Sequence, residues 1–247
     1  MSRDLKRRVC EANLALVRAG LVIQTFGNVS AVDRARGVMV IKPSGVPYDR
    51  MGPEQMVEVS LATGAVAEGG LRPSSDTPTH LELYRAWPDV EGIAHTHSLF
   101  ATAWAQARRE IPALGTTHAD TFGGSVPCTR PLRKSEIEGA YEANTGRVIL
   151  ERFRTLPPLS YPGVLVAHHG PFAWGNSVEE AVRHAEILEY LARLASESLR
   201  LDPDLGPMPR PLLEKHFSRK NGPRAYYGQP QSRSKPVTRS RGPTLSS

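Results

Sequence analysis

Apolar side chains recur at helical spacing near the start of the chain. They are separated by charged residues and fall at Leu5, Val9, Ala12, Leu16 and Ala19. This spacing puts the apolar side chains on one stripe of a helix, and Gly20 supplies a stop signal just beyond it. The pattern therefore predicts an amphipathic first helix with one face packed on a core.

Short apolar runs bounded by glycine, proline and small polar residues predict the elements of the rest of the chain. Strands are predicted for residues 27–30, 38–41, 56–60, 90–97 and 164–167. Helices are predicted for residues 80–87, 100–107 and 135–145, and loop or strand for residues 112–119. Ser177 and Glu180 have the spacing of a capping box and open a further, long helix.

These elements show no regular βαβ repeat. They predict a single α/β domain, residues 1–229, with a central mixed, mainly antiparallel sheet covered by helices. Residues 230–247 are rich in serine, proline and basic residues, a composition that predicts a disordered tail.

Composition excludes several classes of protein. The formal net charge of the 247 residues is +6, but four of the basic residues lie in the tail, so the body lacks the basic footprint of a nucleic-acid-binding protein. No apolar run approaches the ~20 residues of a membrane span, and the charged N-terminus has no signal-peptide core. The two cysteines form no C-x-x-C motif. We expect a cytoplasmic protein without membrane or nucleic-acid partners.

His95-Thr96-His97 closes the predicted strand 90–97 and is the first candidate for chemistry. Strand side chains alternate with a period of two, so the two imidazoles point to one face and can bind one cation. Asp76 precedes a predicted helix, and His169 follows a second buried strand. If the two strands are neighbours, the three imidazoles and the carboxylate form a metal site suited to Zn²⁺, with Mn²⁺ or Co²⁺ also acceptable.

Each of these residues has an alternative interpretation. Asp76 has the position of a helix N-cap, and His169 that of a hydrogen-bonded histidine at a strand end. His168 should point to the opposite face of its strand, which favours a supporting or core role. His80 and His184 lie in helical patterns and are predicted to be surface or packing residues.

A second group of residues has the chemistry to hold a phosphate close to this metal site. Hydroxyls and backbone N–H groups of two turns, the Asn28 amide after Gly27 and the Lys42 ammonium can all face an anion. The turns are Ser44-Gly45, which follows a strand, and Ser74-Ser75, which precedes a helix. Singly, each of these residues is more typical of a turn former or a surface cation than of a phosphate site.

The order of these motifs resembles that of the class II sugar-phosphate aldolases and epimerases, from the first helix to Gln229. The motifs that carry the resemblance are Gly27-Asn28-Val29-Ser30, Lys42-Pro43-Ser44-Gly45, Ser74-Ser75-Asp76, His95-Thr96-His97 and His168-His169-Gly170-Pro171-Phe172. Two more, Thr116-Thr117-His118-Ala119-Asp120 and Ala225-Tyr226-Tyr227-Gly228-Gln229, resemble the L-ribulose-5-phosphate 4-epimerases within that family.

The resemblance implies a zinc-dependent epimerase that inverts C4 of L-ribulose 5-phosphate. Cleavage of C3–C4 would give an enediolate and glycolaldehyde phosphate, and the aldehyde would rotate and be attacked on its other face. It further implies Asp120 and Tyr227 as the acid/base pair, Lys42 and Asn28 as groups that assist the substrate oxygens, and the two serine turns as the phosphate site. His216 matches a further active-site histidine, with a role that stays open.

The resemblance also implies a homotetramer with sites at subunit boundaries, so some of these groups would serve a neighbouring chain. His168 stands where related enzymes more usually have Ser or Asn, which leaves a swapped ligand open. The alternatives are a class II aldolase of the L-fuculose-1-phosphate type, which carries Glu where this chain has Asp76, a dehydratase on the same fold, and a non-catalytic module like the adducin head.

Overall fold

Six strands form one sheet in the order β3-β2-β1-β4-β6-β5 in a computed structural model that describes residues 2–67, 70–221 and 225–226. The strands are β1 (Asn28–Asp33), β2 (Val38–Ile41), β3 (Val57–Ser60), β4 (Gly92–His95), β5 (Gly163–Val166) and β6 (Gly170–Gly175). All five pairings between these strands are antiparallel. The one parallel contact among the described residues is an isolated bridge, Cys128 to Leu165.

Eight helices accompany the sheet in the described part of the chain. They are α1 (Ser2–Arg18), α2 (Thr77–Ala86), α3 (Leu99–Ala107), α4 (Thr116–Ala119), α5 (Lys134–Glu138), α6 (Tyr141–Arg152), α7 (Val178–Leu201) and α8 (Arg210–Lys220). Three short 3₁₀ turns cover Tyr48–Arg50, Pro53–Gln55 and Pro158–Ser160.

The sheet is the middle of three layers because both of its faces are apolar. On one face Val29 and Ala31 of β1 pack in a core with α1 and α7. On the other face residues of β2, β3, β4 and β6 pack with α2 and α6. Ser30, between the two apolar residues of β1, points to the α2 side, as the alternation of a strand requires. The predicted α/β fold with a helix-covered sheet is confirmed.

Several predicted elements have different limits in the structure. The predicted strand 90–97 ends at His95, and the predicted helix 135–145 is two helices separated at Gly139, whose backbone (φ −94°, ψ −133°) is not helical. The helix α4 lies within residues 112–119, where loop or strand was predicted. Ser177 caps α7 as predicted, its Oγ accepting from the Glu180 amide at 3.1 Å.

Two elements had no sequence prediction. Strand β6 follows β5 directly, and its glycines and proline obscured the strand pattern. Helix α8 lies in a C-terminal segment whose prolines obscured the helical pattern. The tail 230–247 and Tyr227 lie outside the described residues. Within the described part of the chain, no helix combines the length and apolar character needed to cross a membrane.

Candidate active site

His95 and His97 meet at the end of the central strand β4. His95 is the last residue of β4, and His97 lies two residues further on, with their Nε2 atoms 3.1 Å apart. The other ring nitrogen of His95, Nδ1, lies 2.9 Å from the carbonyl oxygen of Pro171, which can only accept. Nδ1 must therefore carry a proton, which makes Nε2, the nitrogen nearer His97, the one available to a metal ion.

His169 joins this pair from the turn between β5 and β6. Its ring centroid lies 4.8 Å from that of His95 and 5.1 Å from that of His97. One nitrogen from each of the three rings lies within 4.8 Å of the others. The strand that precedes His169, β5, is not a neighbour of β4, because β6 lies between them. The expected convergence occurs because the β5–β6 hairpin turns back toward the end of β4.

Asp76 occupies the N-cap position of α2, but its side chain lies beside the three histidines. Its Oδ2 is 4.0 Å from Nε2 of His95 and accepts a 2.7 Å hydrogen bond from Nδ2 of Asn28. The side chain makes no capping hydrogen bond to α2 among the described residues, so the predicted N-cap position is correct but its carboxylate does not cap the helix. Burial alone would raise the pKa of Asp76, but His95, His80, His169 and the Asn28 hydrogen bond hold it below its usual value. The carboxylate is therefore ionised at neutral pH.

The donor set fits a divalent metal ion. Nδ1 of His169 is buried and has no hydrogen-bond partner in the described structure. Burial lowers the pKa of His169 to about 3 and also lowers that of His97, so both rings are neutral near pH 7, the form that binds a metal. Two ligands of a tetrahedral zinc ion lie about 3.3 Å apart, close to the His95–His97 separation. These histidines with Asp76 could hold one metal ion.

Asp76 and the three clustered histidines line a cavity of about 360 Å³, called the histidine cavity below. The cavity also contains every residue predicted from the sequence to bind substrate, together with Lys42. These are Gly27, Asn28, Ser44, Gly45, Ser74 and Ser75. The structure therefore brings the predicted metal ligands and the predicted phosphate-binding turns into one site.

Asn28 and Lys42 are the buried polar groups of this cavity. Nδ2 of Asn28 donates to Ser74 and Asp76, which fixes the amide orientation and leaves the buried Oδ1 without a partner in the described structure. Lys42 is 2% exposed, and no carboxylate of the described residues lies within 4.0 Å of its ammonium. Among the described residues, its Nζ donates to two carbonyls, those of Thr25 (3.3 Å) and Pro43 (3.4 Å). Burial lowers the pKa of Lys42.

The two serine turns lie side by side. The amide of Ser44 donates to Arg72 O and the amide of Ser74 donates to Lys42 O, both at 2.9 Å. These two backbone N–H groups are therefore not free to bind an anion, contrary to the sequence-based expectation. The serine hydroxyls and the amides of Gly45 and Ser75 remain as donors, since the described structure gives those two amides no acceptor. The groups left free to bind an anion are thus mainly side-chain hydroxyls.

Gly27 is required by the close approach of its loop to β4. Its φ is +79°, and a Cβ there would lie 2.9 Å from the carbonyl oxygen of His95 and 2.8 Å from Val22. A larger residue would meet both a left-handed backbone and a clash with the backbone of His95. This glycine lets the Asn28 loop reach the histidines.

Asp120 lies in a different part of the chain's surface. It does not line the histidine cavity but a separate cavity of about 460 Å³. Its carboxylate binds Nδ1 of His216 (3.0 Å), Arg219 (2.8 Å) and Lys220 (3.0 Å), all from α8. Burial opposes ionisation, but these hydrogen bonds bring the pKa of Asp120 to about 2. Within one chain, Asp120 pairs with His216, and neither residue lines the cavity of His95, His97 and His169.

Three other histidines were considered in the sequence. His168 differs from its prediction, whereas His80 and His184 agree with theirs. His168 has φ +64° in the β5–β6 turn and its side chain is exposed, so neither a core nor a supporting role applies within this chain. His80 is fully buried, with Nδ1 2.7 Å from Ser30 Oγ, and His184 bonds the carbonyl of Trp174, so both have packing roles as predicted.

Sequence reasoning missed several residues that line the histidine cavity. Tyr141 packs on His169 with ring centroids 6.4 Å apart, and Phe26 lies 5.9 Å from His97. Glu142 lines the same cavity. Gly139 is the sequence feature that could have pointed to Tyr141 and Glu142. A glycine favours a helix break, and the break places these two residues at the start of α6.

Comparison with known proteins agrees with this geometry. The chain is 54% identical over 227 residues to the L-ribulose-5-phosphate 4-epimerase UlaF of Salmonella paratyphi C (strain RKS4594), covering 92% of this chain and 99% of that protein. A solved L-fuculose 1-phosphate aldolase superposes with a TM-score of 0.73 and 26% identity, over 87% of this chain and 95% of that one.

A second solved structure has the same fold. The L-fuculose-1-phosphate aldolase of Thermus thermophilus superposes with a TM-score of 0.62 and 26% identity, over 85% of this chain and all (100%) of that one. Residues 7–196 match the model of the class II aldolase and adducin N-terminal domain, a range that includes all three clustered histidines and Asp76. The chain therefore belongs to the class II aldolase and adducin N-terminal domain family.

Proposed function

We propose that this protein is a metal-dependent L-ribulose-5-phosphate 4-epimerase that interconverts L-ribulose 5-phosphate and D-xylulose 5-phosphate. The observation that carries the proposal is the cavity itself, in which three histidines and Asp76 lie near the hydroxyl-bearing residues Ser44, Ser74 and Ser75. The 54% identity to an epimerase over nearly the whole chain supports the choice of reaction.

The reaction breaks and re-forms one carbon–carbon bond. The C4 hydroxyl loses its proton as C3–C4 breaks, and the electron pair of that bond remains on the C2–C3 fragment as an enediolate. The other fragment is glycolaldehyde phosphate. Rotation of the aldehyde exposes its second face, and re-addition with protonation of the C4 oxygen gives the inverted centre. No atom is gained or lost, so no further reactant is needed.

Asp76, His95, His97 and His169 would hold the metal ion. Zn²⁺ suits three neutral imidazoles and one carboxylate, and Mn²⁺ or Co²⁺ would also be accepted. When bound, such an ion supplies Lewis-acid stabilisation of negative charge on the substrate oxygens.

The other residues of the cavity would bind and orient the substrate. The Lys42 ammonium is buried without a carboxylate, so an anionic substrate oxygen is its natural partner. Oδ1 of Asn28, with no partner of its own, would accept from a substrate hydroxyl. The hydroxyls of Ser44, Ser74 and Ser75 with the amide of Gly45 would hold the phosphate while the aldehyde turns.

Inversion requires an acid/base group on each face of the rotating aldehyde. We assign these roles to Asp120 and Tyr227, with His216 as a partner of Asp120. Because Asp120 does not line the histidine cavity of its own chain, the assignment requires a neighbouring copy to supply it. We therefore propose a homotetramer with its sites at subunit boundaries. Separately, we propose a cytoplasmic location, without nucleic acid or membrane as partners.

A class II sugar-phosphate aldolase is the second candidate, favoured by the superposition on two L-fuculose 1-phosphate aldolases. The two functions are separated by incubating the zinc-loaded protein with L-ribulose 5-phosphate and with L-fuculose 1-phosphate. We expect D-xylulose 5-phosphate from the first and no cleavage of the second. Release of free aldehyde from L-fuculose 1-phosphate, with no epimerisation of the pentulose, would establish the aldolase instead.

A further inference from the structure

Tyr48 lies under the histidine cavity without lining it. It is the first residue of the 3₁₀ turn Tyr48–Arg50 and its side chain is buried, 7% exposed. Its single hydroxyl hydrogen is shared between two successive carbonyl oxygens, those of Phe26 and Gly27, each 3.0 Å from the hydroxyl oxygen. A single phenol thus fixes both peptide groups that lead into Asn28.

The same side chain also supports Lys42. The ammonium of Lys42 lies 4.8 Å from the centroid of the Tyr48 ring, within the range of a cation–π contact. The other contacts of that ammonium are two carbonyls at 3.3 and 3.4 Å, which are long for charge-assisted hydrogen bonds. The ring is therefore a main constraint on where this buried charge lies.

The residues that Tyr48 fixes all bear on the substrate site. The loop that Tyr48 binds carries Gly27, which touches the His95 carbonyl, and Asn28, whose amide holds the carboxylate of Asp76. A shift of this loop would move Oδ1 of Asn28 and the Lys42 ammonium together. Displacements of about 1 Å at such groups are enough to slow a reaction about a hundredfold.

We propose that Tyr48 is a positioning residue for the reaction, its hydroxyl fixing the loop before Asn28 and its ring fixing the Lys42 ammonium. This inference rests on the proposed epimerase function for its activity readout. Its effect on the loop can be measured independently of any activity.

The test compares Tyr48→Phe, which removes the hydroxyl and keeps the ring, with Tyr48→Leu, which removes both. Tyr84→Phe is the matched control, because Tyr84 is 1% exposed and its hydroxyl also donates to a backbone carbonyl, that of Ser30, away from the cavity. We expect kcat/KM to fall about tenfold in Tyr48→Phe and about a hundredfold in Tyr48→Leu, mainly through kcat, with metal content unchanged. Tyr84→Phe should lose stability and keep its kcat/KM.

Hydrogen–deuterium exchange provides the second readout. The amide of Phe26 donates to the Ile23 carbonyl at 3.1 Å, and its exchange should accelerate in both Tyr48 variants and not in Tyr84→Phe. A kcat/KM within twofold of wild type in Tyr48→Phe, or a fall no larger than that of Tyr84→Phe, would overturn the inference, as would unchanged exchange. A wild-type protein with no epimerase activity would refute the proposed function, and the exchange comparison alone would then decide whether Tyr48 fixes the loop.

Discussion

Replacing Lys42 by methionine should make the metal-free protein more stable and nearly inactive. The lysine is 2% exposed, and the described structure gives its charge no carboxylate partner. Burying an uncompensated charge opposes folding, as the lowered pKa of Lys42 also indicates. Methionine has a similar length and fills the same space without a charge.

The size of the effect follows from the contacts of the ammonium. Loss of two long hydrogen bonds and one cation–π contact destabilises the variant by about 1–2 kcal/mol in total. Removal of an unpaired buried charge stabilises it by several kcal/mol. We therefore expect a net gain of about 1 kcal/mol, together with a fall in kcat/KM of about a hundredfold or more from the lost stabilisation of developing negative charge.

Urea denaturation of the metal-free protein and steady-state kinetics of the zinc-loaded protein measure the two effects. Lys134→Met is the matched control, because the Lys134 side chain is 86% exposed and its removal should change neither quantity by much. If Lys42→Met loses more than about 1 kcal/mol and keeps a tenth or more of its activity, the lysine has a structural role and the reasoning is wrong.

Three further substitutions separate metal binding, the Asp120 cluster and the loop geometry. His169→Asn should weaken zinc binding at least about tenfold, measured by competition with a chromophoric chelator, and unchanged affinity would remove this histidine from the ligand set. Asp120→Asn should leave zinc content intact and abolish epimerisation. It should also lower stability by about 2 kcal/mol at pH 7, because a pKa of about 2 against an ordinary 3.8 stabilises the folded state above pH 4. That difference should vanish as the pH falls to about 2, and a pH-independent loss in urea titrations would contradict the ion-pair origin. Gly27→Ala should destabilise the protein by about 2 kcal/mol or more, since φ is +79° and the new methyl meets the His95 carbonyl; a thermal midpoint equal to wild type would refute that clash.

The fold and the core of the site were accessible from local patterns in the sequence. The prediction that the rings of His95 and His97 lie close together is correct, although β4 ends at His95 and the strand alternation behind the prediction does not reach His97. The β5–β6 hairpin brings His169 to them. Asp76 was ambiguous because a helix start and a metal site favour the same residue type, and only the contact with Asn28 separates the two. Such tertiary contacts leave no periodic signal in the sequence.

Other parts of the site depend on long-range packing. The pairing of the Ser44 turn with residues 72–74 uses the backbone amides of Ser44 and Ser74, which no local pattern indicates. Helix α8 had no sequence prediction because the prolines around it obscure the helical pattern, yet its His216, Arg219 and Lys220 surround Asp120. The distance between Asp120 and the histidine cavity could be learned only from the fold.

We expect that one metal ion, held by the three histidines and Asp76, makes this chain a pentulose-phosphate epimerase. The most direct measurement is the rate of D-xylulose 5-phosphate formation from L-ribulose 5-phosphate as metal-free protein is titrated with Zn²⁺. We predict that the rate rises linearly and reaches a plateau at one equivalent per chain. A rate that does not depend on the metal, or a substrate that is cleaved without any inverted product, would contradict the claim.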